Sequence, residues 1–129
     1  MTVSTARAGR LIAITMICGA VLCTTRPVSA HHSFAMFDQQ HRIQVQGIVK
    51  SWQFTNPHSW LQLVTLKNGQ YIVYSVECGP PVTLIRKGWS KDSFHPGEKV
   101  TVTVAPLKDG GDGGSMVQAV TANGVTLVQ

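Results

Sequence analysis

An all-β fold with one short helix, arranged as a small barrel of five to six antiparallel strands, is the architecture this sequence predicts. Three observations carry it. Short β-prone runs with alternating polarity recur along the chain after residue 40. Asn68-Gly69 and Asn123-Gly124 each sit between two such runs, and both residue types accept the positive φ of a tight hairpin. A single helical stretch falls between the third and fourth runs.

The first run places Ile43, Val45, Gly47 and Val49 on one parity against Gln44, Gln46 and Lys50 on the other. Ile48 interrupts this, and Gly47 is read as marking a bulge. The run continues toward Phe54 until Thr55-Asn56-Pro57 breaks it, because proline has no N–H for the ladder. Trp60 to Leu66 forms the second strand and Tyr71 to Val76 the return strand across Asn68-Gly69. Gly79-Pro80-Pro81 stops the third strand. Val82 to Lys87 then reads as a short helix, with Pro81 in its first turn, Leu84 and Ile85 facing a core, and Gly88 as the cap. Trp89 to Phe94 reads as a loop and Pro96-Gly97-Glu98-Lys99 as a turn.

Val100, Val102 and Val104 alternate with threonines as the fourth strand. Lys108 to Ser115, with four glycines, reads as a flexible hairpin connection. Met116 to Thr121 and Val125 to Val128 complete the set. Three strands, a helix, then two or three strands is the order of the OB-fold, in which closure removes exposed edges. A flat antiparallel sheet is the competing arrangement.

Residues 1–30 read as a removable signal peptide. Arg7 and Arg10 supply positive charge, and Leu11 to Leu22 is an apolar run shorter than the ~20 residues of a membrane span. Val28 and Ala30 suit the positions that signal peptidase requires. The competing readings are a retained anchor helix and, more weakly, a lipoprotein at Cys23, which lacks the small residue expected just before it. Cleavage after Ala30 leaves an extended arm over residues 31–40 and an OB-like barrel domain over residues 41–129. The expected location is the periplasm or the exterior, with no stable membrane anchor.

Removing the signal changes the electrostatics. Arg7, Arg10 and Arg26 leave while all six acidic residues stay, so the formal net charge falls from +5 to +2. The basic balance is in part an export feature and gives poor support for nucleic-acid binding. Cys18 and Cys23 leave too. Cys78 is then alone and has no partner for an internal disulfide. It is either a buried apolar residue or a free thiol.

Three segments carry a resemblance. His31-His32-Ser33-Phe34-Ala35-Met36-Phe37-Asp38, Thr55-Asn56-Pro57-His58-Ser59-Trp60, and Arg86-Lys87-Gly88-Trp89 with Pro96-Gly97 resemble the DUF6152 family of small exported bacterial proteins of unknown function. The likeness spans essentially the whole mature chain. It implies export and class but no activity. The cysteine in Glu77-Cys78-Gly79-Pro80 departs from the small or apolar residue expected there.

The residues themselves suggest one chemistry. A chain beginning at His31 offers a free amine and an imidazole from a single residue. His32 adds a second ring and His58 a third. Such a nitrogen set favours copper(II), which stands highest in the affinity order and prefers tetragonal geometry. Met36 and Asp38 are near enough in sequence for weak outer contacts. The alternative is a solvated polar arm, with His58 packed against Trp60 or Trp52.

No Cys-x-x-Cys, His-x-x-x-His or His-Glu-x-x-His spacing occurs. The chain also lacks a Gly-x-Ser-x-Gly elbow, and the Asp109 to Ser115 loop lacks the lysine and following helix of a phosphate-binding loop. An enzyme is therefore not expected. Two functional readings stay open. One is a non-catalytic binding or interaction module, with Trp52, Trp60 and Tyr71 as a ligand face for a small molecule or protein partner. The other is copper(II) binding through His31, His32 and His58.

Overall fold

The computed structural model describes residues 32–129, so the signal-peptide reading and His31 lie outside the described residues. The described chain runs α1 (His32–Ala35), β1 (Ile43–Gln53), β2 (Ser59–Lys67), β3 (Gln70–Cys78), α2 (Pro81–Ile85), β4 (Lys99–Pro106), β5 (Gly113–Val120) and β6 (Thr126–Val128). The strands lie in the order β3-β2-β1-β4-β5-β6, and an additional β3–β5 pairing closes the first five into a barrel. The closed OB-like barrel is thus present and the flat sheet is not. The closing pair differs from the all-antiparallel expectation. β3 and β5 run parallel through Ser75↔Gly113, Val76↔Gly114 and Glu77↔Ser115. Farther along, β5 takes β6 as an extra antiparallel strand, through Gln118↔Val128 to Val120↔Thr126.

Period-two patterning builds the interior. Leu61 and Leu63 from β2, Tyr74, Val76 and Cys78 from β3, and Val100, Val102 and Val104 from β4 are all buried in one cluster. The β2–β3 register follows from its turn. Asn68 has φ 52° and Gly69 φ 79°, both positive as a two-residue type I′ turn requires. This pairs Lys67 with Gln70 and carries an unbroken register down to Ser59↔Cys78.

Two expectations about β1 change. Ile48 does not break the alternation, since it points outward and is partly exposed while Gly47 and Val49 are buried. The bulge is at Lys50, where the register to β2 shifts between Val49 and Ser51. It coincides with Val49 exchanging backbone bonds with the turn before β4: Val49 N–H to Glu98 O at 2.8 Å and Gly97 N–H to Val49 O at 2.9 Å. Gly47 serves close approach instead. A Cβ there would sit 2.8 Å from the Val64 carbonyl oxygen.

The glycine-rich stretch is also only partly a loop. Gly113 and Gly114 are buried inside β5. A Cβ on Gly113 would lie 2.9 Å from Ser75 O, and one on Gly114 would lie 2.8 Å from Ala105 O. These glycines let β5 approach β3 and β4 at once, which is the contact that closes the barrel. Tyr74 bolts the same seam, its buried hydroxyl donating to Gly113 O at 2.8 Å. Burial, and secondarily the charge of Asp112, raises the Tyr74 hydroxyl above its ordinary pKa.

One end of the barrel is stoppered by α2 and the segment after it. Of the two helix residues expected to face the core, Leu84 does, but Ile85 is 59% exposed. Neighbouring residues on a helix point about 100° apart, so a single short turn against a barrel end buries only one. The loop residues Trp89 and Phe94 supply the rest and pack with Trp52 at ring-centroid distances of 6.1 and 5.2 Å. Both indoles are satisfied: Trp89 Nε1 donates to Val128 O at 3.1 Å and Trp52 Nε1 to Ser90 O at 3.0 Å.

Replacing Gly114 with valine forces side-chain atoms against Ala105 O and Val104. The expected loss is about 1–3 kcal/mol, typical of overpacking in a filled interior. Urea denaturation should show a lower midpoint for Gly114→Val, while Gly110→Ala, at an open loop position, disturbs no packing and shows only the cost of its positive φ.

Candidate metal centre

His58 stands immediately before β2, after the Thr55-Asn56-Pro57 break, and its carbonyl accepts from the Thr55 hydroxyl at 3.2 Å. The hairpin register places Trp60 opposite Glu77. His58, two residues before Trp60, shares that outward face and meets Glu77 diagonally. The contact is close: His58 Nδ1 lies 2.6 Å from Glu77 Oε1, with the two side chains 34% and 11% exposed. A carboxylate this far removed from water requires a strong partner, and the imidazole supplies it.

The N-terminal arm explains why Glu77 is covered. Where the sequence suggests an extended arm, His32–Ala35 instead forms one helical turn. The chain then crosses the barrel seam. Phe37 bridges to Leu107, Asp38 N–H donates to Pro106 O at 2.8 Å, and Lys108 N–H donates to Met36 O at 2.9 Å. The Lys108 ammonium reaches back to Ala35 O at 2.8 Å. Met36 and Phe37 line a cavity of about 160 Å³ together with Trp60 and Glu77. Phe34 lines an adjoining one of about 120 Å³ with His58, Glu77, Cys78 and Pro80. The arm therefore runs over the outer face of Glu77 and arrives beside His58.

Residues 19–117 match a family described as a family of unknown function, DUF6152. The chain belongs to that family. No curated protein and no solved structure matches it. The family assignment brings no activity, so the site of this DUF6152 protein rests on its own residues.

Of the candidate metal set His31, His32 and His58, only His58 has a described side chain. His31 lies outside the described residues, and of His32 only the backbone position in α1 is described. Asp38 does not serve as an outer ligand in this geometry. Its carboxylate is engaged by His41 Nδ1 at 2.6 Å and by the Gln40 N–H at 3.1 Å, and these bonds, His41 first, hold its pKa below the ordinary carboxylate value. Met36 lines the cavity over Glu77, one position along from the His58 pocket. His95, given no role, pairs with Glu98 at 3.2 Å. Among the described residues no group of three or more His, Cys, Asp or Glu side chains could hold a metal ion by itself.

The aromatic ligand face is not assembled. Trp52 pairs with Leu61, whose side chain is fully buried, so Trp52 points inward to the aromatic plug. Trp60 and Tyr71 do share the outward face. Tyr71, however, pairs with Leu66, six residues along β2 from Trp60, or about 20 Å away at the rise of a strand. Tyr71 is 80% exposed near the hairpin tip.

Glu77 is the residue that inspection of motifs misses. Its signal was nonetheless present: a two-residue turn at 68–69 pairs 67 with 70 and hence 60 with 77, putting the one acid of β3 beside His58.

Cys78 settles on its buried reading. It is 2% exposed, and burial first, then the neighbouring Glu77 charge, pushes its thiol pKa far up. It stays a neutral thiol near pH 7, unsuited to nucleophilic attack or metal ligation. A raised folded-state pKa means that the neutral thiol's contribution to stability is complete below the ordinary value of 9.0 and declines as pH rises beyond it. Native protein should resist an aromatic disulfide reagent at pH 8 and react only after unfolding in guanidinium. Cys78→Ala should remove part of the stability loss between pH 9 and 11 in thermal melts.

Proposed function

We propose that this protein is an exported, non-catalytic binding module whose ligand is a transition-metal ion, copper(II) before others. Residues 1–30 act as its signal peptide. Cleavage after Ala30 frees the amine of His31 in the periplasm or outside the cell. That amine, the His31 ring and His58 provide three nitrogens, with His32 as a further imidazole. Neutral nitrogen donors in this number suit copper(II) better than the harder calcium or magnesium ions, which take oxygen ligands.

The observation that carries the reading is the His58–Glu77 contact at 2.6 Å in the pocket that Phe34 also lines. A metal-binding histidine characteristically gives its second ring nitrogen to a carboxylate. Phe34 and His58 line one pocket, and three residues separate Phe34 from the proposed new N-terminus. With Cys78 neutral and no three-ligand group among the described residues, such a site requires the N-terminal histidines.

A second reading, a module that binds another protein, is favoured by the exposed Leu66, Tyr71 and Val73 on the outer face of the β2–β3 hairpin. It makes no use of the histidines.

Protein recovered from the periplasm should begin at His31 by intact-mass spectrometry and take up one copper(II) ion in calorimetric titration. His58→Ala should weaken that binding at least tenfold, as should a version carrying one extra residue ahead of His31. Binding indifferent to both changes would remove the metal reading and leave the interaction module.

A further inference from the structure

We propose that the end of the barrel away from α2 is a binding site for an uncharged, mainly apolar small molecule that carries a hydrogen-bonding group. Neither the histidines nor a metal ion takes part in it.

The two ends of the barrel are finished differently. Leu84 of α2, Trp89 and Phe94 fill the end where β1 and β3 finish and β2 begins. The other end, where β1 starts, the β2–β3 hairpin turns and β4 finishes, holds an open cavity of about 510 Å³. The loop after β4 contributes Gly110 and Gly111 to its lining, and these have no side chains to fill it. The inward faces of the strands continue into this cavity. Val45 precedes the buried Gly47 and Val49 on the inner face of β1, and Ile72 precedes the buried Tyr74 on that of β3. Both pack against the core yet are only half-buried. Ile43, next on the inner face of β1, is 40% exposed. With Pro106 and Leu107 these side chains form an apolar wall that a ligand would remove from water. Small-molecule sites span roughly 300–1,000 Å³ and recur in the mouths of β-barrels.

The polar groups of the cavity define what fits. Lys67 is its one charged lining residue among the described residues, and its ammonium is already paired with Asp112. A charged ligand would leave water for an apolar wall that offers no free opposite charge. The hydroxyls are engaged as well, Tyr74 donating to Gly113 O at 2.8 Å and Thr65 to Gln46 O at 2.7 Å. One backbone site remains. The β1–β2 ladder ends at Ile48↔Val64, and the Gln46 carbonyl beyond it faces β2 and takes the Thr65 hydroxyl instead. Residues two apart in a strand direct their backbone groups to the same side. Gln44 therefore turns its N–H and C=O toward that gap, and it has no β2 ladder partner among the described residues. An uncharged molecule with one donor or acceptor meets both conditions, apolar contact and a bond to Gln44.

N-phenylnaphthylamine, an uncharged aromatic amine with a single N–H, is the probe that tests this on the metal-free protein. Its fluorescence should rise saturably on binding. Methyl resonances of Ile43, Val45, Ile72 and Leu107 in wild-type protein should shift as it binds, while those of Val73 on the outer face stay in place. Anilinonaphthalene sulfonate, the same ring skeleton with a negative charge, should bind about tenfold more weakly or worse. Ile72→Trp, which fills the cavity, should weaken the uncharged probe by about tenfold or more, whereas Tyr71→Ser on the outer face should leave its affinity unchanged. Absence of saturable binding, shifts centred on Val73, or equal affinity for the sulfonate would each overturn the proposal. The methyl shifts need no variant, so they decide the matter even if Ile72→Trp fails to fold. Copper(II) binding is read separately, and neither result bears on the other.

Discussion

The closing seam between β3 and β5 is the constraint on which the rest of the molecule depends. Only three residue pairs join these strands. They form because Gly113 and Gly114 have no side chains to hold Ser75 and Ala105 away. Without that approach the five strands would remain an open sheet, with β3 presenting an unpaired edge. The Tyr74 hydroxyl bound to Gly113 O adds a side-chain tie at the same place. Backbone proximity and a buried hydrogen bond thus act together where the barrel has the fewest ladder contacts.

The seam also organises the candidate site. Closure brings the start of β5 and the end of β4 beside Glu77, and the arm is laid down along that junction by its bonds to Pro106, Leu107 and Lys108. Glu77 is consequently sandwiched between strand neighbours and arm. A surface carboxylate facing a histidine would contribute little, because water competes for both. Here exclusion of water makes the pairing obligatory, since an unpaired carboxylate in that position would be costly. Cys78, one residue along, faces the opposite way into the core and is rendered inert by the same burial. Two adjacent residues of one strand therefore have unlike chemistry for a simple reason, the alternation of side chains across a sheet.

The opposite use of aromatic residues follows from packing demand. A barrel of this size needs bulky side chains to fill its end, and Trp52, Trp89 and Phe94 meet that need as mutual edge and tilted contacts. Trp52 was consequently unavailable to a ligand face. Trp60 is half-buried beside the arm, and Tyr71 lies near the far hairpin tip. The count of aromatics was visible in the chain, but their allocation between plug and surface was not: the bulge at Lys50 turns Trp52 inward, and Trp89 and Phe94 lie in a loop with no strand parity.

By itself the sequence determined the element order, the Asn68-Gly69 hairpin, the valine alternation of β4, the short capped helix and hence the OB-like barrel. Each of these follows from local rules of periodicity and backbone conformation that a linear chain displays. It also held His58 as the candidate residue of the site. Only tertiary structure decided that Gly113 and Gly114 belong to a strand, that the closing pair is parallel, and that Glu77 is the partner of His58. It alone decided, too, that Asp38 is engaged by His41 and that Cys78 is buried. Those outcomes depend on which segments distant in sequence approach within a few ångströms. That is set by closure of the barrel and by the path of the arm across it, and no local pattern encodes either.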